Sequence, residues 1–424
     1  MKLILITFFI FLFFGAALYF ASRKGHKCSC GGGGGSCQKR CATSVTAASK
    51  PQSRSVNSGL RSKSAMTLLL ILSVSLFACG TPDDEEPTNS RSNLGWVTSQ
   101  IDPAFKVNGI ACNDNTIIAV SNGGRVAIST NRGSNWRAVA TNSSRNLNDI
   151  ARCGSHFMAV GDDQTILWSI DNGSRWTPVP QNHEINGIQY VIQGVNFQSI
   201  ACNGSKFVTA GQTTLPDNNT NYDNITAVSE TNGASWRTYE IKNILGSSSL
   251  AIPYLFYGDG YFYLATDEDS MGYSTDGMSW DTPSRTGNRI FNPTGLTSGG
   301  IDDNGTTRTI RMMSQNARFD NNTITLDDDF DEGRLFVSYD DIEEWGEEFL
   351  PTPGGVYGVA FGRDKFIAVS QDKVYSADNF TDNITHWVED NAPRLGDSRI
   401  TTVTSCSDTF WVGTDRGQIF SARY

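Results

Sequence analysis

Basic residues are outnumbered by acidic ones over most of this chain. Its 424 residues carry 34 Lys and Arg against 44 Asp and Glu. Ten of the basic ones (Lys2, Arg23, Lys24, Lys27, Lys39, Arg40, Lys50, Arg54, Arg61 and Lys63), and no acidic one, precede Cys79. From Cys79 onward the balance is 24 against 44, a net charge of −20. That argues against nucleic acid or anionic headgroups as partners, because both require a cationic surface. Histidine is scarce as well, with four in all. His156 and His386 fall in turns, and His183 stands beside Glu184 in a long connection, where exposure is the plainer reading than catalysis. No nucleophile elbow, phosphate loop or zinc-protease motif occurs, so the chemistries that depend on them lose their usual machinery.

What the chain does have is a repeat. Ser169-Ile-Asp171-Asn-Gly173-Ser-Arg-Trp176 has close copies at Ser129, Asn131, Gly133 and Trp136, and at Ser229, Thr231, Gly233 and Trp236. A copy one residue shorter comprises Ser274, Asp276, Gly277 and Trp280. Two have drifted: Ser338, Asp340 and Trp345 put Ile342 where Gly stood, and Ser376, Asp378 and Trp387 carry a longer loop. Spacings of 38 to 64 residues mark a repeat architecture. A Ser or Asp side chain can bond backbone N–H groups two residues on, and Gly accepts positive φ, so each copy folds into a self-satisfied turn. The Trp then opens the next strand and buries a large ring. Around the second copy, Asn148–Arg152, Phe157–Gly161 and Thr165–Ser169 read as three short strands, and the Trp176 segment as a fourth. Four antiparallel strands repeated radially make a propeller blade.

These turns resemble the Asp-box, S-x-D-x-G-x-x-W, of the sialidase-like propellers, over residues 94–424. The resemblance implies an all-β, seven-bladed β-propeller in which the boxes are scaffold on the face opposite the catalytic one. Six boxes give six blades. The seventh is assembled from Ile400–Ser405, Phe410–Thr414 and Gln418–Tyr424 at one end and the strand beginning at Trp96 at the other, with a box split between Ser421 and Trp96. Such closure removes two exposed sheet edges. Cys112, Cys153, Cys202 and Cys406 all close the first strand of a unit, where Tyr257 and Phe361 stand elsewhere. A place shared with aromatics reads as buried packing, and equivalent points on neighbouring blades read as too far apart for a disulfide.

The N-terminal region divides by composition into a membrane segment with a Cys/Gly-rich tail (1–41), a linker (42–59), a signal peptide (60–78) and an acidic tether (79–93). Residues 3–21 are long and apolar enough to span a bilayer. Cys28, Cys30, Cys37 and Cys41 fit no standard zinc spacing well, and reduced thiols in a flexible tail are the competing reading. Arg61 and Lys63, the apolar run Met66–Phe77 and Leu76-Phe-Ala-Cys79 resemble a bacterial lipoprotein signal, with Cys79 the lipidated first residue. Two export signals in one chain point to residues 1–59 being an extension or fusion with no role in the propeller. Gly80 after the lipid-bearing position implies passage to the outer membrane.

Function is sought in the loops. Gln212–Asn224 and Asn316–Gly333 join second to third strands, and Val179–Asn196 and Glu240–Ile252 cross between blades, so all four project from one face. Long loops on one side of a rigid scaffold mark a binding surface. Two of these loops hold alternating oxygen ligands, Asp327, Asp329 and Asp331, and Asp217, Asn219, Asn221 and Asp223. Both are candidate Ca²⁺ sites, although neither has a clear bidentate Glu at the twelfth position and a solvated acidic loop is the plainer reading. A sialidase would need the F/Y-R-I-P motif before the first box; Ile101–Ser129 lacks it, and Arg289-Ile-Phe291 lies in the wrong blade. The leading expectation is therefore a lipid-anchored, non-catalytic propeller in the bacterial envelope that binds a protein or glycan. The alternative is a secreted glycoside hydrolase without sialidase activity, which needs two carboxylates about 5–9.5 Å apart in a pocket.

Overall fold

The computed structural model describes residues 94–424 apart from 180–181, 186–187, 192–193, 214–223, 242–252, 267–270, 284–292, 304–305, 316, 321–322, 327–332, 341–344, 353, 378–379, 382–383 and 386. Everything assigned to residues 1–93, Cys79 included, lies outside it, as do both candidate Ca²⁺ loops, Asp217, Asn219, Asn221 and Asp223 and Asp327, Asp329 and Asp331.

Seven antiparallel sheets follow one another along the chain. Blade 1 is Gly109–Asn113, Thr116–Val120, Val126–Ser129 and Arg137–Val139, strands a to d from the axis outward. Blade 2 is Leu147–Cys153, His156–Gly161, Ile166–Ser169 and Thr177–Pro178. Blade 3 is Val195–Cys202, Phe207–Thr213, Asn224–Ser229 and Arg237–Glu240. Blade 4 has Pro253–Gly258, Tyr261–Thr266 and Met271–Ser274, with a single bridge from Tyr273 to Asp281 in place of strand d. Blade 5 is Pro293–Asp303, Thr306–Gln315, Gly333–Tyr339 and Gly346–Leu350, and blade 6 is Gly358–Gly362, Lys365–Val369, Val374–Ala377 and Val388–Glu389. Blade 7 joins the two ends of the propeller: Ile400–Cys406, Thr409–Thr414 and Gln418–Arg423 take Val97–Gln100 as strand d, Val97 opposite Ser421.

The registers show which parts of the repeat carry the fold. A tryptophan opens strand d in all seven blades: Trp136, Trp176, Trp236, Trp280, Trp345, Trp387 and Trp96 take the same place in the ladder. The serine is less regular. Ser129, Ser169, Ser229, Ser274 and Ser338 are each paired with the residue that opens the core of strand b, but in blades 6 and 7 that partner is Ala377 and Ala422. Ser376 and Ser421 are therefore one residue out of register, and a slip of one turns a side chain to the other face of its sheet. Ser376 Oγ instead donates to Asp390 Oδ2 at 3.4 Å, and the proposed split box of blade 7 lacks its serine.

The strand-b position facing these residues is Ile117, Phe157, Phe207, Phe262, Phe366 and Phe410 in six blades, all 0–1% exposed. Burying each of these side chains is worth roughly 1.5–3 kcal/mol. Blade 5 puts Arg311 there. It is 5% exposed and ion-paired to Asp259 in the a–b turn of blade 4.

The cysteines correct the expectation of unbridged packing. Cys112 is bonded to Cys406 across blades 1 and 7, and Cys153 to Cys202 across blades 2 and 3, with Cα separations of 6.3 and 5.6 Å. Two facts bring them into range. Strand a is the innermost, where neighbouring blades converge, and the four cysteines are not equivalent in register. Cys112 and Cys202 lie opposite Ile117 and Phe207, whereas Cys153 and Cys406 lie one residue further on, past the partners of Phe157 and Phe410. Neighbouring residues of a strand point to opposite faces, so one member of each pair faces forward and the other back.

Candidate functional site

Strands a and c run from one end of the ring, and b and d return to it. The a–b and c–d turns thus share one end, the box end, and the b–c loops and interblade connections share the other, the crossover end.

At the box end the side chains are committed to structure. Ser169 Oγ, 2% exposed as part of its residue, donates to Asp171 Oδ1 at 3.0 Å and accepts from Gly173 N at 2.9 Å. Asp171 Oδ1 accepts from Arg175 N at 2.9 Å, and Trp176 Nε1 donates to Gly173 O at 3.1 Å. Partial burial opposes the Asp171 charge, yet the hydrogen bonds from Arg175 and Ser169 hold its carboxyl below the usual range. Ser129 with Gly133, Ser229 with Gly233 and Ser274 with Gly277 repeat the central bond at 2.8 Å. Asp276 likewise accepts from Met278 N and Ser279 N at 2.8 and 2.9 Å. The glycine is required for approach as well as for φ: a Cβ on Gly173 would collide with Ile118 of blade 1, and one on Gly233 with Met158 of blade 2. Asp340 behaves differently. It accepts from Thr309 N at 2.7 Å and Arg308 Nε at 3.1 Å, capping strand b of its own blade, and those bonds lower its pKa. Asp378 lies outside the described residues.

Two excursions also leave the box end. The a–b hairpin of blade 5 has strands of 11 and 10 residues, and the c–d connection of blade 6 carries a small hairpin, Phe380–Thr381 with Ile384–Thr385. A lengthened hairpin leaves the turn short and hides in the strand count. The hairpins Asn182–Ile185 with Ile188–Val191 and Ala317–Asp320 with Thr323–Leu326 lie in connections that start and finish at the crossover end.

The crossover end of blades 7, 1, 2 and 3 is a low floor of interlocked side-chain amides. Asn108 Nδ2 donates to Leu147 O at 2.7 Å and to Asn122 Oδ1 at 2.8 Å. Asn148 Nδ2 donates to Phe197 O at 2.8 Å and Asp162 Oδ1 at 2.9 Å, and Asn146 Nδ2 to Asp162 Oδ2 at 2.9 Å. Asn196 Oδ1 accepts from Asp163 N at 2.8 Å, and Arg145 pairs with Asp163 at 2.6 Å. Four of the staples across this end depend on a residue within one position of the start of strand a: Asn108, Asn148, Thr294 to Val356 O at 2.6 Å, and Thr401 to Val107 O at 2.5 Å. In blades 2, 5 and 7 that residue is the extra one of a β-bulge, which turns its side chain toward the next blade.

Beside the floor, Asp149 bridges blades 2 and 3. Its Oδ1 accepts from Ile150 N at 2.7 Å and its Oδ2 from Ile200 N at 2.9 Å. Dense surroundings push its carboxyl up to about 7, more than these two N–H groups pull it down. Both of its hydrogen-bond partners are backbone N–H groups. The side chains of His183 and Glu184 and the segment Arg289–Phe291 lie outside the described side chains. Among the described residues no group of three or more His, Cys, Asp or Glu is placed to hold a metal, and no helix is long and apolar enough to cross a membrane. Among the described residues the large exposed apolar side chains are Val97, Ile170 and Phe349, on three different blades. The amide floor and Asp149 were missed in the sequence; Asn108, Asn146, Asn148 and Asn196 at the entrances to strands a were the available signal.

No protein-family model matches the chain, and no curated protein matches it in sequence. Solved structures do resemble it. YCF48 bound to D1 peptide is 14% identical with a TM-score of 0.51, covering 78% of this chain and 97% of that one. YCF48 from Cyanidioschyzon merolae is 14% identical with a TM-score of 0.51, covering 77% and 98%. Selenomethionine-substituted virginiamycin B lyase from Staphylococcus aureus is 11% identical with a TM-score of 0.53, covering 78% and 99%. At these identities the likeness is one of fold.

Proposed function

We propose that this is a non-catalytic propeller of Asp-box type that binds a protein partner with its crossover end while Cys79 holds it to the bacterial envelope through lipid, in the outer membrane. The observation that carries the reading is the division between the two ends. Side chains at the box end are used up in turns, while four of the longest connections, around 179–194, 214–223, 241–252 and 316–332, join strands that finish at the crossover end beside a rigid polar floor. A polar floor suits a partner read by hydrogen bonds around a fixed frame, as in non-obligate interfaces. A solved propeller of like fold, YCF48, carries a bound peptide, which supports a protein rather than a glycan as the partner. Two interblade disulfides fit an oxidising, extracytoplasmic compartment.

Photo-crosslinking amino acids at Asn122, Asp163 and Arg416 on the crossover end, and at Asn131 and Asn172 on the box end, test this in intact cells. The reading expects adducts of one defined mass from the first three positions alone. Equal labelling from the box end, or none from the crossover end, would overturn it.

A further inference from the structure

A second site lies on the outer flank of the ring, away from the amide floor and independent of the partner proposed there. Between the outer strand of blade 6 and the end of blade 5 is a cavity of about 420 Å³ lined by Pro351, Tyr375, Trp387, Glu389, Asp390 and Asn391. That volume is within the ~300–1,000 Å³ of small-molecule sites.

Two groups in its wall are left wanting. The first is Trp387, 8% exposed, whose indole N–H finds no acceptor among the described residues. Five of its counterparts are satisfied in one of two ways. Trp176, Trp236 and Trp280 donate to the glycine carbonyl of their own turn at 3.1–3.2 Å. Trp136 and Trp96 donate to the outer strand of the preceding blade, at Ser99 Oγ and Asp390 Oδ1, both 3.0 Å. Trp387 has neither, because its own turn was replaced by the longer insertion. The second is Asp390, 5% exposed, which accepts from Trp96 Nε1 and Ser376 Oγ, both neutral, and takes part in none of the ion pairs among the described residues. Beside it, Glu389 has one ion-pair partner, Lys373 at 3.0 Å, in a largely exposed bridge of the kind that holds weakly.

The cavity therefore presents two carboxylates, one of them buried without a countercharge, two aromatic side chains, and one buried donor in need of an oxygen. An anion is excluded by the carboxylates, and a neutral polyol would leave their charge uncompensated. A protonated amine answers it and gains attraction from the aromatic faces; a carbonyl next to that amine answers the indole N–H. We propose that this cavity binds an α-ammonium group with its adjacent carbonyl, the chemistry shared by free amino acids and the amino end of a peptide. The acidic surface from Cys79 onward, net −20, draws such cations toward it.

The test uses the purified full-length protein labelled with ¹⁵N at tryptophan, titrated with glycinamide, N-acetylglycinamide, glycine and triglycinamide. Glycinamide should bind saturably and shift the Trp387 indole resonance, identified by its loss in Trp387→Phe. Acetylation, which removes the charge, should weaken binding at least ~tenfold, the usual worth of a charge-assisted hydrogen bond. Asp390→Asn keeps an acceptor for Trp96 and should weaken glycinamide at least ~tenfold. Triglycinamide binding more tightly than glycine would assign the site to peptide ends, and the reverse to free amino acids. Equal affinity for glycinamide and its acetylated form overturns the proposal without any variant having to fold, and a saturable shift that spares the resonance lost in Trp387→Phe overturns it as well.

Discussion

Asp149 joins two blades with a charge that its surroundings resist. Its pKa in the folded protein, about 7, is above the ordinary 3.8, so the folded state holds this proton more tightly than the unfolded chain does. Its contribution is complete below about pH 4 and is lost as pH rises through about 7, on the order of 2 kcal/mol for a partly shielded group. Urea unfolding of Asp149→Asn across that range should show a flatter pH dependence than the parent; an unchanged slope would reject the assignment. Arg311 is the other residue at odds with its place, a guanidinium where five other blades bury phenylalanine. Its Nε and Nη1 are buried without an acceptor among the described residues, and burial raises the pKa of the neighbouring Tyr263 hydroxyl against the lowering pull of the Arg311 guanidinium. A buried charge of this kind is often a net cost. Arg311→Met should leave the melting temperature unchanged or raise it, since Asp259 remains partly exposed to water. A loss above about 3 kcal/mol would mean that the pair holds the seam between blades 4 and 5.

Within an element, the turn can be separated into its parts. Ser169→Ala leaves a buried N–H on Gly173 without its acceptor and should cost about 1–3 kcal/mol in chemical denaturation. Gly233→Ala should cost more, because φ is 93° there and the new methyl meets Met158. These turns could be read from the sequence because Ser, Asp, Gly and Trp recur at fixed spacing and each type has a local reason to be there. The tryptophan survives in all seven blades, since a large ring buried at the head of strand d has no substitute nearby. The drifted copies could not be read as well. Whether Ser376 or Ala377 faces the core is a question of register, and register is fixed by pairing across the sheet. The same one-residue ambiguity concealed the disulfides, and the candidate site was hidden for a related reason: an asparagine beside a bulge reads as any loop residue until the next blade is in place.

For the molecule as a whole, seven sheets and their closure followed from counting boxes and finding three strands at one end of the chain and a lone one at the other. The two disulfides now weigh the closure. Cys112 and Cys406 are 294 residues apart and Cys153 and Cys202 are 49. Removing the first pair with serines should destabilise by about 1.6 kcal/mol more than removing the second, if loop entropy governs. Guanidinium denaturation of the two double variants measures the difference, and equal losses would show that native packing outweighs chain entropy. Trp96→Ala removes the donor to Asp390 and loosens Val97–Gln100. Light scattering should then detect self-association through the bared edge of Gln418–Arg423; a monomer with unaltered melting would show that the four-residue strand holds by itself.

That lone outer strand also decides how the ring would respond to a pull. Tension arriving from upstream of Leu94 acts first on Trp96 and then along the ladder from Val97–Ser421 to Gln100–Gln418. Once those four rungs have given way, the next strand in line is Gly109–Asn113, and the Cys112–Cys406 bond ties it to the blade just stripped. Such a load would thus cost the wheel its outermost strand and stop there, because the hub is covalently shut, where a ring closed by hydrogen bonds alone would unwind.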